Sequence, residues 1–379
     1  MSISILIKPA SSLCNLSCKY CFYKDVAANR ESYSNGIMTE TTALNIIKNA
    51  LIPSNKVVSF AFQGGEPTLA GLSYFEYFVE AVNKHNIYNA NIQYSIQTNG
   101  YTIDTDWAKF FKKNDFLVGI SLDGPKEIND ELRTFQGFKG TFNRVLKSTN
   151  ILNKYNVPFN ILCVLTAFNA KHINKVYNFY KKQGFNYLQF IPCLEPLESV
   201  ESPNKYSLQN NDYTYALNTL FKIYKNDYFT GNYTSIRLFD NYIQMILGEA
   251  PENCGVSGIC SCYYVIEANG DAYPCDFYSI DKYKLGNINE NTFLEMRESS
   301  ISFDFIQESK NLDSKCLNCK HFRLCRGGCK RYRTSSITKD VPFNYFCESY
   351  YNFFEENTKG LLEMANEIKR QSLINNNLI

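Results

Sequence analysis

The sequence predicts an α/β protein: an open partial barrel of six strand-helix units, followed by a smaller cysteine-rich domain. Three observations carry that prediction. Apolar, β-branched and aromatic runs alternate with helix-patterned segments through the first half, the arrangement of a parallel sheet covered by helices. Turn motifs directly follow three of those runs, Gly64-Gly65-Glu66-Pro67, Thr98-Asn99-Gly100 and Asp123-Gly124-Pro125, and parallel α/β folds bind ligands at the carboxyl ends of their strands. Of the 14 cysteines, nine fall between residues 254 and 347, which sets that segment apart.

In chain order, strands are expected at Ile3–Ile7, Val57–Phe62, Ile92–Gln97, Phe116–Leu122, Phe159–Thr166 and Tyr187–Ile191. Between them, Glu40–Leu51, Leu72–Lys84, Asp106–Lys113, Thr141–Tyr155 and His172–Gln183 carry apolar residues at the three-four spacing of amphipathic helices. Residues 192–213 turn polar, with three prolines, and read as a linker. Residues 214–250 read as mostly helical. The cysteine-rich segment holds a short strand at Tyr263–Glu267, and a last helix is expected over Tyr351–Ile374 before a frayed tail. The implied domains are 1–230, 231–350 and 351–379.

Lysine plus arginine number 39 against 37 aspartate plus glutamate, a net charge of +2, so nothing global points to nucleic acid or an anionic membrane. No apolar run reaches membrane-spanning length and the N-terminus lacks a signal-peptide layout, so the cytoplasm is the expected location. Cysteines in such a chain are better explained by metal than by disulfides.

Cys14, Cys18 and Cys21 form a C-x3-C-x2-C cluster just after the first strand. A closed zinc or iron-sulfur site takes four ligands, so three thiolates point to an iron-sulfur cluster with one iron open to a ligand. This resembles the signature of radical S-adenosylmethionine (SAM) enzymes, whose open iron chelates SAM. The resemblance implies that Tyr20, the aromatic residue before the third cysteine, lies on the cofactor side, and that Gly64, Gly65 and Glu66 meet the SAM amino group. Ser121 and Asp123 are candidate contacts to the ribose or methionine portion, or simply a strand end with its turn. Arg133 either pairs with the SAM carboxylate or is a solvated helix charge.

Farther along, Cys260, Gly270 and Cys275 precede Cys316-x2-Cys319-x5-Cys325-x3-Cys329 and Cys347. That series is similar to the seven-cysteine pattern of SPASM domains, which hold auxiliary 4Fe-4S clusters, and Cys254 supplies an eighth thiolate. By resemblance, Cys254, Cys260, Cys275 and Cys329 hold one cluster, and Cys316, Cys319, Cys325 and Cys347 the other, giving three 4Fe-4S clusters in all. The fold implied is then a partial (β/α)6 TIM-like barrel with a C-terminal iron-sulfur (SPASM) domain. The basic run from Lys315 to Arg333 reads as charge compensation for thiolate-bound clusters rather than as an RNA surface. Cys262, Cys163 and Cys193 are left as small buried hydrophobes.

Ile5-Leu6-Ile7-Lys8-Pro9, Gln63-Gly64-Gly65-Glu66-Pro67-Thr68-Leu69, Gln97-Thr98-Asn99-Gly100, Ser121-Leu122-Asp123-Gly124-Pro125 and Tyr273-Pro274-Cys275-Asp276-Phe277-Tyr278 resemble the anaerobic sulfatase-maturating enzymes. These oxidise a Cys or Ser of a sulfatase to Cα-formylglycine by Cβ hydrogen abstraction with a 5′-deoxyadenosyl radical. The resemblance implies a sulfatase partner with a Cys/Ser-x-Pro-x-Arg-type motif and a low-potential donor such as flavodoxin or ferredoxin. It also implies that Asp276 is the base taking the thiol or hydroxyl proton, a role that a largely apolar pocket would favour. Gln63 and Tyr23 are candidates to bind the peptide or, equally, packing residues. Two rival functions share the motifs in part. One is modification of a ribosomally made peptide, disfavoured because the first strand begins near residue 3 and leaves no room for a leading recognition domain. The other is a non-catalytic electron carrier, which needs no open iron.

Overall fold

A computed structural model of the protein describes residues 1–135, 139–197, 205–333 and 343–376. In chain order its strands are β1 (Ser2–Ile7), β2 (Val57–Phe62), β3 (Asn91–Thr98), β4 (Phe116–Ser121), β5 (Phe159–Leu165), β6 (Tyr187–Pro192), β7 (Ser235–Ile236), β8 (Tyr264–Ile266), β9 (Asp271–Tyr273) and β10 (Gly286–Asn287). The six expected strands all form, and the five expected helices appear as Glu40–Ala50, Leu72–His85, Thr105–Lys113, Phe142–Lys154 and Ile173–Lys182. Local chemistry fixes several starts. The Thr39 hydroxyl accepts from Thr42 N, and the Asp104 carboxylate accepts from the amides of Asp106 and Trp107, satisfying donors that the first helical turn leaves open.

Three segments differ from expectation. The helix Asn210–Phe229 begins inside the stretch read as a linker, because prolines end at residue 203 and nothing after it breaks a helix; residues 198–204 of that stretch lie outside the described residues. A short helix, Phe22–Ala28, starts directly after Cys21. The last helix runs Cys347–Asn376, so the final expected cluster cysteine is its first residue. Of the expected frayed tail, residues 377–379 lie outside the described residues.

The chain packs as two compact units. The first comprises residues 1–122, 129–160 and 261–308, and the second 123–128, 161–260 and 309–379. In the first, β8, β1, β2, β3 and β4 run parallel as neighbours in that order, with β9 and β10 added antiparallel beyond β8. The strand from the cysteine-rich region therefore joins the sheet beside β1. The aromatic content goes into this core: Phe62 meets Phe75 at 4.9 Å and Phe78 at 5.1 Å, and Tyr94 stacks on Phe116 at 4.9 Å. In the second, β5, β6 and β7 are parallel. There the helices Asn210–Phe229, Arg237–Leu247 and Cys347–Asn376 meet through Phe221, Phe239 and Phe353, with Phe239 stacked on Phe353 at 5.6 Å.

Candidate active site and cluster sites

Strand register in the first unit sets a row of polar side chains at the carboxyl ends. Ile7 pairs with Ile266 on one side and Phe62 on the other, and Phe62 with Ile96, so Glu267, Lys8 and Gln63, which follow their strands, stand at one level with Gln97 near the end of β3. Backbone bonds extend the pairing one step, from Lys8 N to Ile266 O at 2.9 Å and from Gln63 N to Ile7 O at 3.0 Å.

Asp276, 5% exposed, sits in this row. The fully buried Lys8 ammonium lies 2.8 Å from its Oδ1, an ion contact out of line for a directed hydrogen bond, and Gln63 Nε2 donates to Oδ2 at 3.0 Å. Lys8 also reaches Ser279 Oγ at 3.1 Å and Glu267 at 3.5 Å, and its ammonium lies 4.1 Å from the Tyr23 ring centroid. Glu267 is the second buried carboxylate. It accepts from Ser11 Oγ at 2.7 Å, Tyr23 OH at 2.8 Å and Arg30 Nη1 at 2.5 Å. Burial raises the Glu267 pKa, but Lys8, Arg30 and these hydrogen bonds outweigh it and hold the carboxyl below its ordinary range. The expectation of a largely apolar pocket around Asp276 is therefore corrected: two cations and two carboxylates share this interior, since buried charges persist only when paired. Tyr23, buried with its hydroxyl on Glu267, fits the packing alternative.

The cysteine loop after β1 is clamped by the motifs of the next two strands. Gly65 N donates to Ser11 O and Glu66 N to Leu13 O, both at 2.8 Å. A Cβ on Gly65 would lie 2.1 Å from Leu13 O, and Gly64, at φ 133°, would place one 2.8 Å from Ser11 O. Both glycines are thus required by contact with the loop backbone. The Glu66 carboxylate is fully buried and accepts four hydrogen bonds: from Thr68 N at 3.1 Å and from Thr68 Oγ1, Thr98 Oγ1 and Asn99 N at 2.7 Å each. Three of these bonds fall on Oε1 and one on Oε2, so the side chain is fixed by the strand ends while Oε2 keeps an acceptor site. Asn99 continues the clamp, donating to Asn15 Oδ1 at 2.8 Å.

On the other side, Ser17 N and Lys19 N donate to Thr134 O and Leu132 O at 2.7 and 3.0 Å. Arg133 follows the helix Lys126–Leu132 and is 7% exposed, with its Nη1 donating to the Tyr20 hydroxyl. That excludes the solvated-charge alternative and brings two expected cofactor-side residues together. Ser121 Oγ accepts from Gln97 Nε2 at 3.0 Å. In the second unit, Asp123 is fully buried and its Oδ1 accepts from Val164 N at 3.1 Å, which fastens the β5 backbone.

Electrostatic repulsion links expected ligand thiols in three sets. Burial pushes the Cys14 thiol up to about 12, with Glu66, Cys18 and Cys21 adding repulsion. In the second unit, burial pushes Cys325 to about 12 and Cys347 to about 11; Cys316 and Cys319 raise both, and Cys347 also raises Cys325. Cys329 is pushed to about 12 by burial and then by Cys254 and Cys260. Thiols that raise one another's pKa share a site that bound iron would neutralise. Among the described residues no group of three or more His, Cys, Asp or Glu side chains converges on a single-ion site. Burial raises the Cys260 thiol, and the buried Lys330 and Arg333 oppose that rise, as charge compensation would. Cys275 belongs to the first unit. Sequence reasoning missed Arg30, Glu267 and Tyr263 and gave Lys8 no role. The signals were charged residues flush against apolar strands, Lys8 after β1 and Glu267 after β8.

Residues 9–180 match the family model of the Radical SAM superfamily, and residues 257–320 that of SPASM, an iron-sulfur cluster-binding domain. Fold and site together define a radical SAM enzyme, TIM-like in its α/β region and provided with auxiliary iron-sulfur clusters. A cysteine-type anaerobic sulfatase-maturating enzyme of Clostridium novyi is 48% identical over 364 residues, 96% of this chain and 97% of that protein. A serine-type enzyme of Bacteroides thetaiotaomicron is 30% identical, over 97% of this chain and 92% of its own length. The solved structure of native anSMEcpe with bound AdoMet and Cp18Cys peptide superposes with TM-score 0.92 at 46% identity, covering 97% of this chain and all of that one. The chain belongs to the anaerobic sulfatase-maturating enzymes.

Proposed function

We propose that the protein converts a cysteine of a sulfatase, within a Cys-x-Pro-x-Arg-type motif, to Cα-formylglycine without oxygen. The observation that carries this reading is the buried Asp276 carboxylate held between Lys8 and Gln63, one residue from Cys275. The choice of cysteine over serine rests on 48% identity to a cysteine-type relative against 30% to a serine-type one.

When bound, SAM and the clusters supply a 5′-deoxyadenosyl radical that removes a Cβ hydrogen and an acceptor for the electron the substrate then loses. Asp276 takes the thiol proton through Oδ2, where the half-buried Gln63 amide is the partner a thiol can replace, while Lys8 keeps Oδ1 fixed. Cys14, Cys18 and Cys21 hold the SAM-binding cluster. Cys254, Cys260, Cys275 and Cys329 hold one auxiliary cluster, and Cys316, Cys319, Cys325 and Cys347 the other. Gly64, Gly65 and Glu66 would meet the SAM amino group, through backbone carbonyls or the acceptor site left on Glu66 Oε2, and Tyr20, Arg133, Ser121 and Asp123 would complete that site. Residues 1–230 form the catalytic region, 231–350 the auxiliary-cluster region and 351–379 the C-terminal helix and tail. A cytoplasmic flavodoxin or ferredoxin is the electron donor in this reading. Among the described residues no helix is long and apolar enough to cross a membrane.

The test is anaerobic incubation of reconstituted enzyme, SAM and reductant with paired peptides carrying Cys or Ser before x-Pro-x-Arg, followed by mass spectrometry with an aldehyde trap. A trappable aldehyde formed faster from the Cys peptide supports the reading. Formation of 5′-deoxyadenosine with both peptides unchanged removes the substrate assignment and favours modification of another peptide.

A further inference from the structure

We infer that Tyr263 donates a hydrogen bond to the Cys275 sulfur and thereby raises the reduction potential of the auxiliary cluster that this thiolate binds. The inference rests on the reading of Cys275 as a cluster ligand. The contact is built into the sheet. β8 and β9 pair antiparallel, Val265 with Tyr273, and two steps outward along the same register Tyr263 stands against Cys275. Tyr263 N donates to Pro274 O at 3.2 Å, which holds that outward step in place. The Tyr263 hydroxyl lies 3.5 Å from Cys275 Sγ, within reach of an O–H···S bond.

The direction of that bond follows from the remaining partner. Asp276 N donates to the same hydroxyl oxygen at 3.3 Å, so the oxygen is already accepting and its own proton is free to turn to sulfur. A metal-bound thiolate carries no proton, which leaves tyrosine as the only donor in the pair. Hydrogen bonds to cluster sulfurs offset the added negative charge of the reduced state and raise the potential. One hydroxyl thus touches both the sulfur of the expected ligand and the backbone of the expected base, joining the point where the substrate loses a proton to the group that takes its electron. Tyr263 is a positioning and tuning residue here, since it acts through its neighbours.

The test is an electron paramagnetic resonance redox titration of the reconstituted full-length protein, wild type against Tyr263→Phe. The expected result is a fall in the midpoint of one auxiliary cluster equivalent to a three- to tenfold change in its one-electron equilibrium, about 30 to 60 mV, with the other two clusters unmoved and iron content intact. All midpoints unchanged with full iron would overturn the inference. Should Tyr263→Phe fail to assemble its clusters, replacing Tyr263 by a ring-fluorinated tyrosine, a stronger donor of nearly the same size, decides: the midpoint must then rise, and an unmoved midpoint rejects the role. Cys275→Ala separates the two readings. If that variant keeps every cluster, the ligand assignment fails; if it loses one while Tyr263→Phe moves nothing, only the tuning role fails.

Discussion

Lys8 and Asp276 face each other at 2.8 Å with both side chains almost completely removed from water. A lysine following the first strand is thereby tied to the expected base from the cysteine-rich region. The register that pairs Ile7 with both Phe62 and Ile266 holds this tie in place, because it sets Lys8 between Gln63 and Glu267.

Removing one member of such a pair strands the other charge. Lys8→Met is expected to cost about 3–5 kcal/mol of folding stability, the usual range for an uncompensated buried charge. The double variant Lys8→Met with Asp276→Leu should recover a large part of that loss. Urea unfolding of the four proteins of the cycle measures the coupling, and a double variant as unstable as the sum of the two singles would contradict the pairing.

Gly65 leaves no room for a side chain, since a Cβ would stand 2.1 Å from the Leu13 carbonyl oxygen. Gly65→Ala must displace the backbone that leads into Cys14. We expect iron to fall by one cluster, about four atoms per chain, with loss of 5′-deoxyadenosine formation. Full iron content in this variant would show that the loop yields without cost.

Glu267 gives a pH signature. Its folded pKa is depressed by Lys8, Arg30 and its hydrogen-bond donors against the opposing effect of burial, so it contributes stability above the unfolded carboxylate value of about 4.3 and loses that contribution as pH falls through the lower folded pKa. The stability difference between wild type and Glu267→Gln should therefore be full near neutrality and shrink below about pH 4. A difference that grows on acidification has the wrong sign.

Much of the fold was legible because strand and helix periods are local. Val57–Phe62 and Phe116–Ser121 are β-branched and aromatic runs bounded by turns, and the helices around Phe75 and Trp107 repeat their apolar residues at helical spacing. The cluster cysteines were legible by spacing. The ionic interior was not, because the two cations, Lys8 and Arg30, are distant in sequence from the two carboxylates, Glu267 and Asp276, and Lys8, Arg30 and Glu267 each read alone as a surface charge. Likewise, Glu66 gave no sign that Thr68, Thr98 and Asn99 donate to it, and nothing in residues 263–275 showed that their first strand would join β1.

In the proposed reaction Asp276 accepts the proton released when the target side chain is oxidised. The most direct measurement follows 5′-deoxyadenosine and peptide aldehyde together, anaerobically, for wild type and Asp276→Asn with the Cys peptide. The variant is expected still to form 5′-deoxyadenosine within about threefold of wild type while aldehyde formation falls at least about 100-fold, the scale of a lost general base. An Asp276→Asn protein that makes aldehyde at close to the wild-type rate, with its clusters intact, would contradict it.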